Sequence, residues 1–440
     1  MARPSFLRYN HSSQQRWGAL KVFVALLDSQ RRSVSAEVLD RKIMSLLVAP
    51  PTRKGTVIIG ARERPFPNNR GEELLEQISA PSLLFTVTEK MLSRVREWAK
   101  LMGLVGNGNQ VTERGLLMQR IMGPGQIEAV RRGQFGENNP FRFTTSERIY
   151  FLYLLLEHDA TWPFLLPRIA GEGDAAVITG SQACKLTTLS LLDLLDVPTG
   201  SSSGADLLTR REMRELAAQM AESLGLTDPR APKRAELSRG PRRVASRKRV
   251  ATSMPQRNTA DDQAIPRFEN LVDVGFLVKN TPADALESAV TRRLEWRYVV
   301  SSAAVKWVGC AGQSMPYDSK FLWTRFSECA ATAFGIDGCP KLSASHDVVK
   351  ILDLIESEYG RVHRALGHTP LESVALVAMI KGLENGIVCE MATIHDLLLK
   401  FKAEGALATH LKFASGNELD RMFIDIRPGF FEAARRHYGQ

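Results

Sequence analysis

Three times along this chain an amphipathic helix stops at a glycine and passes at once into a short apolar run. The segments read Trp98-Ala99-Lys100-Leu101-Met102-Gly103-Leu104-Val105, Leu271-Val272-Asp273-Val274-Gly275-Phe276-Leu277 and Phe401-Lys402-Ala403-Glu404-Gly405-Ala406-Leu407. Glycine after a helix takes the left-handed backbone that ends it, and apolar residues directly behind it read as the start of a strand. A chain that repeats this order is expected to be mainly α with small β-hairpins, built as a series of similar units.

The first unit has the fullest local signals. Thr86 and Glu89 form a capping box, and Met91, Val95, Trp98 and Met102 fall on one stripe of the helix it opens. Past Gly103, the turn at Gly106 to Asn109 and the run Gln110-Val111-Thr112 predict a hairpin. Upstream, Gln15 to Leu47 reads as two helices ended by Pro50 and Pro51, with a short strand at Thr56 to Ile59. Thr144 and Glu147 cap an apolar helix from Ile149 to Leu156, and Thr209 and Glu212 cap another. Between those two helices, Pro198 to Ala205 has linker composition.

In the middle unit, Arg267 to Val274 reads as a short amphipathic helix, followed by apolar Phe276 to Val278 and a strand from Trp296 to Val300. A helix from Pro282 to Arg292 is expected where a hairpin turn would sit, so this unit departs from the pattern. In the last unit, Thr369-Pro370-Leu371-Glu372 combines a capping box with a first-turn proline. Met391, Ile394, Leu398 and Phe401 then line one face of the helix that stops at Gly405. Ala408 to Phe413 and Arg421 to Ile426 are expected to pair about the turn at Ser415 to Asn417. These signals divide the chain into 1–130, a helical block 140–227, a segment 228–262, a degenerate unit 263–340 and a C-terminal unit 341–440.

Charge singles out one of these pieces. The chain carries a net +10, and from Arg230 to Arg257 ten Lys or Arg face a single acid, Glu236, which leaves +9 in that stretch. Pro, Ser and Ala separate the cations and apolar residues are sparse, which predicts a basic arm that is disordered when free. Its cations include Arg242, Arg243, Arg247, Lys248 and Arg249. Such a run also suits RNA, acidic proteins or membrane surfaces. It lacks the aromatic residues that stack on single-stranded bases, which favours non-specific contact with the duplex backbone.

The helix–glycine–hairpin order resembles the junction between the last helix of a winged helix-turn-helix and its β-wing. The resemblance implies a helix that enters the major groove and a wing that touches the backbone or minor groove. Carried over to this sequence, it nominates Lys90, Arg94 and Lys100 on the first helix with Asn107 and Asn109 on its wing. In the last unit it nominates His395, Lys400 and Lys402, with Lys412 on the wing. The bland alternative is an ordinary solvated helix face. The middle helix carries Glu269 and Asp273 among few cations, which suits a structural or protein-binding copy. Several degenerate winged units in a chain with Arg exceeding Lys by 41 to 17 look like an accessory subunit of a prokaryotic antiviral defence or mobile-element system.

Other classes find less support. No run approaches the roughly 18 apolar residues of a membrane span, and the start of the chain has no apolar leader stretch, so a cytoplasmic protein is expected. The five cysteines are scattered, and His363 and His368 are too loosely spaced to favour a metal site. Phosphate-binding loops, dinucleotide fingerprints and nucleophile elbows are missing from the sequence. Asp353, Glu356 and Glu358 could serve a metal-dependent nuclease, but they share one amphipathic helix. The reading is therefore a DNA-binding accessory protein with no cofactor and with protein partners. A protein-binding scaffold is the alternative, and a cryptic nuclease the third.

Overall fold

The computed structural model describes residues 17–28, 32–39, 56–59, 62–65, 89–132, 143–196, 210–225, 259–280, 296–312, 319–336, 338–366, 369–414 and 422–439, with the backbone alone at 19, 56–59, 62–65, 89–94, 210–212, 223, 259, 261–262, 319, 361 and 364–366. Among these residues the chain is mainly helical, with a few small antiparallel strands. The basic segment, the linker at 198–205 and the expected helix at 282–292 lie outside them.

The N-terminal part contains α1 (Gly18–Leu26), the hairpin strands β1 (Thr56–Ile59) and β2 (Arg62–Pro65), α2 (Glu89–Leu101), α3 (Glu113–Met122) and α4 (Pro124–Arg132). The stripe predicted on α2 is confirmed where side chains are described: Val95, Trp98 and Met102 are buried. Trp17, at the start of α1, packs its ring against Trp98 at 6.1 Å and Phe151 at 4.9 Å.

Past Gly103 the expected hairpin is reduced to one antiparallel bridge, Val105 to Val111. The physical reason is local: the Thr112 hydroxyl accepts from the Gly115 amide and starts α3, so the chain turns into a helix instead of a second strand.

At the centre lies α5 (Thr145–His158), opened by the predicted capping box of Thr144 and Glu147. Every residue from Ile149 to Leu156 is buried, because α3, α9 (Thr259–Val274) and α14 (Leu371–Glu384) all pack on it. α6 (Trp162–Gly171), β3 (Val177–Thr179), α7 (Gly180–Asp196) and α8 (Arg210–Ser223) follow.

The helix expected over Arg267 to Val274 begins earlier, at Thr259, and runs through Pro266. It is not amphipathic in effect, because Gln263 to Leu271 are all buried. It leads through Gly275 (φ 84) into β4 (Leu277–Lys279). β5 (Arg297–Val300) then pairs antiparallel with both β4 and β3, giving the order β3-β5-β4. One sheet thus draws its strands from either side of the basic segment.

The remainder is α10 (Ser302–Ala311), α11 (Ser319–Thr324), α12 (Phe326–Ala333), α13 (Val348–Leu366), α14, α15 (Met391–Ala403), α16 (Gly405–Ala408), β6 (Leu411–Ala414), β7 (Phe423–Ile426) and α17 (Phe430–Tyr438). The predicted hairpin forms, with Phe413 opposite Ile424 and Lys412 opposite Asp425. The predicted cap at Thr369 does not form. Pro370 occupies the N-cap position of α14, and Thr369 instead accepts the Ile424 amide through its carbonyl and meets His363 Nδ1 at 2.8 Å through its hydroxyl. A tertiary strand pairing has taken the residue that local grammar assigned to the helix.

Candidate nucleic-acid interface

In the C-terminal unit, α14 and α15 form a helix pair joined by a turn at Asn385 and Gly386 (φ 69), and the β6–β7 hairpin follows. Pro370 bridges to Phe423, so the segment before α14 lies along the outer edge of the hairpin. Met391, Ile394, Leu397, Leu398 and Phe401 hold α15 to the core, and Asp396, Leu399, Lys400, Lys402 and Ala403 face outward.

The first half of α15 is partly covered. His395 keeps only 12% of its side chain exposed, sits edge-on to Trp323 of α11 and lies 3.0 Å from Asp396 Oδ1. Just before it, the buried Glu390 carboxylate accepts from the Ser327 and Glu328 amides at the start of α12, at 3.0 and 2.9 Å. Burial pushes the Glu390 carboxyl up to about 7, against the opposing pull of those two amides.

The lysines at the far end of α15 are engaged within the unit. Lys402 donates to the Ala408 and Leu411 carbonyls, at 3.2 and 2.7 Å, and so ties the helix end to the entry of β6. Lys400 lies over the Tyr438 ring, 4.7 Å from its centre. Lys412 is exposed on β6, opposite exposed Asp425. The outward surface of this unit therefore mixes cations and acids.

In the N-terminal unit, Lys90 and Arg94 sit on α2 with side chains outside the described residues, and Lys100 is exposed in its last turn. Asn107 is exposed, whereas Asn109 (φ 54) donates to the Val34 carbonyl at 3.0 Å and docks the loop on segment 32–39. Arg242, Arg243, Arg247, Lys248 and Arg249 lie outside the described residues.

Spacing did not reveal the ion pairs that hold the body together. Arg114 on α3 meets Glu157 at 2.5 Å and Glu372 at 3.5 Å, with His158 Nε2 at 3.1 Å. Burial works against the Arg114 charge, but the two carboxylates more than offset it and hold the guanidinium charged; burial also lowers His158. Tyr153 donates to Glu372 at 2.8 Å, and Tyr150 to the Arg114 carbonyl at 2.7 Å. Together they line a cleft of about 170 Å³ where α3, α5, α14 and β7 meet. Arg114 is committed to acids there and is not presented for phosphate.

The middle helix α9 follows the same rule. Arg267 pairs with Asp159 at 3.0 Å, Glu269 with Lys279 at 2.7 Å, and Asp273 accepts the Trp17 amide at 2.5 Å. Lys279 also lies over Trp296, 3.4 Å from the ring centre. The acids considered for nuclease chemistry are occupied by arginines as well. Arg435 binds both Asp353 and Glu356, and Arg120 binds Glu358. Among the described residues no cluster of His, Cys, Asp and Glu is arranged to hold a metal, and no helix is long and apolar enough to cross a membrane. Comparison with protein-family models, with curated proteins and with solved structures gives no match.

Proposed function

We propose that this is a duplex-DNA-binding accessory protein that works within a larger complex, such as a prokaryotic defence or mobile-element system. The observation that carries the reading is the concentration of +9 of the net +10 charge between Arg230 and Arg257. Many cations of the folded body support it by being spent internally: Lys21, Arg114, Arg120, Arg267 and Lys279 all pair with carboxylates. The helix pair α14–α15 with its following β6–β7 hairpin has the order of a winged helix-turn-helix, which supports a docking role for the C-terminal unit, with Lys412 on its wing. The middle unit is a frame, since its α9 is buried.

In this reading the basic segment supplies affinity and association rate through phosphate contacts, and the winged units set orientation. The test is binding to a labelled random-sequence duplex across a salt series, with the full chain beside a variant lacking Arg230 to Arg257. Binding should fall steeply with salt. The variant should bind more weakly, with a log–log salt slope shallower by about 0.9 for each phosphate it no longer neutralises. Failure of the full chain to bind at low salt would sink the proposal.

A protein-binding scaffold is the second reading, and the outer face of the three-stranded sheet favours it. Val177, Val299 and Val278 stand side by side across β3, β5 and β4, with Val177 49% and Val278 56% exposed. An apolar row on a solvent-facing sheet suits a partner surface.

A further inference from the structure

Two of the five cysteines lie where they face each other. Cys310 is in the last turn of α10 and Cys329 in the middle of α12, and these two helices pack closely along their lengths. Trp307 and Cys310 share one face of α10, as Phe326 and Cys329 share one face of α12, by their three-residue spacing. The Trp307 and Phe326 rings meet edge-on at 5.6 Å, which fixes those two faces against each other.

Arg325 strengthens the register. Its guanidinium donates to the Cys310 and Ala311 carbonyls at 2.6 and 3.3 Å and so closes the end of α10. Cys329 is one turn further along α12 from Arg325, on the same side. Cys310 is partly exposed, whereas Cys329 is fully buried. Burial first, and then the adjoining Cys310 sulfur, push the Cys329 thiol well up, while the Arg325 charge pulls the other way. Burial therefore holds Cys329 as a thiol.

We propose that Cys310 and Cys329 are a peroxide-responsive dithiol that closes to a disulfide joining α10 to α12. Cys310, the less buried of the two residues, attacks hydrogen peroxide, takes one oxygen as a sulfenic acid and releases water. The Cys329 sulfur then attacks the Cys310 sulfur, the hydroxyl leaves with the Cys329 proton as a second water, and the S–S bond forms. Two electrons pass from the two thiols to one peroxide, and a thiol reductant reverses the change. The link would join the helix that leaves β5 to the helix whose first amides hold Glu390 at the α14–α15 turn. It would clamp the sheet to the C-terminal unit.

The test uses the full chain with Cys339→Ser, because Cys329 and Cys339 share the tryptic peptide Phe326 to Lys341, whereas Cys310 lies on Trp307 to Lys320. The folded protein is treated with hydrogen peroxide, alkylated after unfolding, digested and weighed. The proposal expects loss of two alkylatable thiols and one linked peptide pair about 2 Da lighter than the sum of its free thiols, reversed by dithiothreitol. Cys310→Ser should keep Cys329 alkylatable, and Cys329→Ala should leave a Cys310 sulfenic acid that dimedone captures. A chain whose Cys310 and Cys329 both remain alkylatable, or whose Cys310 proceeds to sulfinic acid with no linked peptide, overturns it.

Discussion

A lysine ammonium without solvent contact needs a counter-charge, and Lys21 finds one in Glu147, 2.8 Å away, where both side chains are at most 1% exposed. Burial lowers Lys21 while the Glu147 carboxylate opposes the shift. Glu147 also receives the Thr144 amide of the capping box. Lys21→Met alone takes this counter-charge away from the buried carboxylate and is expected to cost about 3–5 kcal/mol. Adding Glu147→Gln removes the carboxylate charge, keeps an acceptor for the cap and should recover most of the loss. Urea denaturation of the single and double variants decides it, and a single-variant loss below about 1 kcal/mol would show that the pair contributes no more than a surface bridge.

Glu390 gives the residue scale a pH dependence. Its carboxyl is raised from the ordinary 4.5 to about 7, so between those values the folded chain keeps a proton that the unfolded chain has released. The stability this group contributes is therefore fully present below pH 4.5 and is lost as the pH rises through 7. Glu390→Gln cannot ionise, so the variant should gain on the parent chain as the pH rises from about 5 to about 8. Urea midpoints at the two pH values check this, and a constant difference between the proteins would refute it.

At the scale of elements, the passage from α2 to α3 depends on one close approach. A Cβ at Gly115 would lie 2.2 Å from the Leu104 carbonyl oxygen and 2.6 Å from a Val111 methyl, and the first of these is backbone that cannot swing aside. Gly115→Ala is expected to destabilise the chain by about 2–3 kcal/mol, the upper range for overpacking, measured by thermal or urea unfolding. A neutral result would mean that the bridge between Val105 and Val111 is not held there. The same region shows what local grammar can deliver. The Gly103 stop and the Thr144 cap are legible because each depends on residues within a single helix turn. Thr369 escapes that grammar because its partner, Ile424 of β7, is remote in sequence. The inward turn of His395 depends on Trp323 in another helix, which no spacing within α15 announces.

For the whole molecule, the decisive division is between charge paired within the described body and charge concentrated in the basic segment. Ion pairs made by α9 and around Arg114 join segments that are far apart in the chain, from Arg114 to Glu372 in the longest case. They knit the N-terminal part, the sheet and the C-terminal unit about α5. The basic segment contributes nearly all the net charge. Its deletion is expected to change the salt dependence of DNA binding while leaving the helical circular dichroism of the body unaltered. A deletion that unfolds the body would place the segment in the frame.

The sequence by itself determined the helical class, the glycine stops at Gly103 and Gly275, the cap of α5, the C-terminal hairpin and the position of the basic charge, because each is written in periodicity, backbone preference or composition over a few residues. The expected stop at Gly405 did not form, since Glu404 ends α15 and Gly405 opens α16. Tertiary structure alone decided that α9 is enclosed, that β3 joins β4 and β5, that most of the conspicuous acids and cations answer one another, and that Cys310 faces Cys329. Burial and pairing are properties of what a residue meets after the chain has closed on itself. A charged side chain reads the same in sequence whether water or a buried carboxylate awaits it.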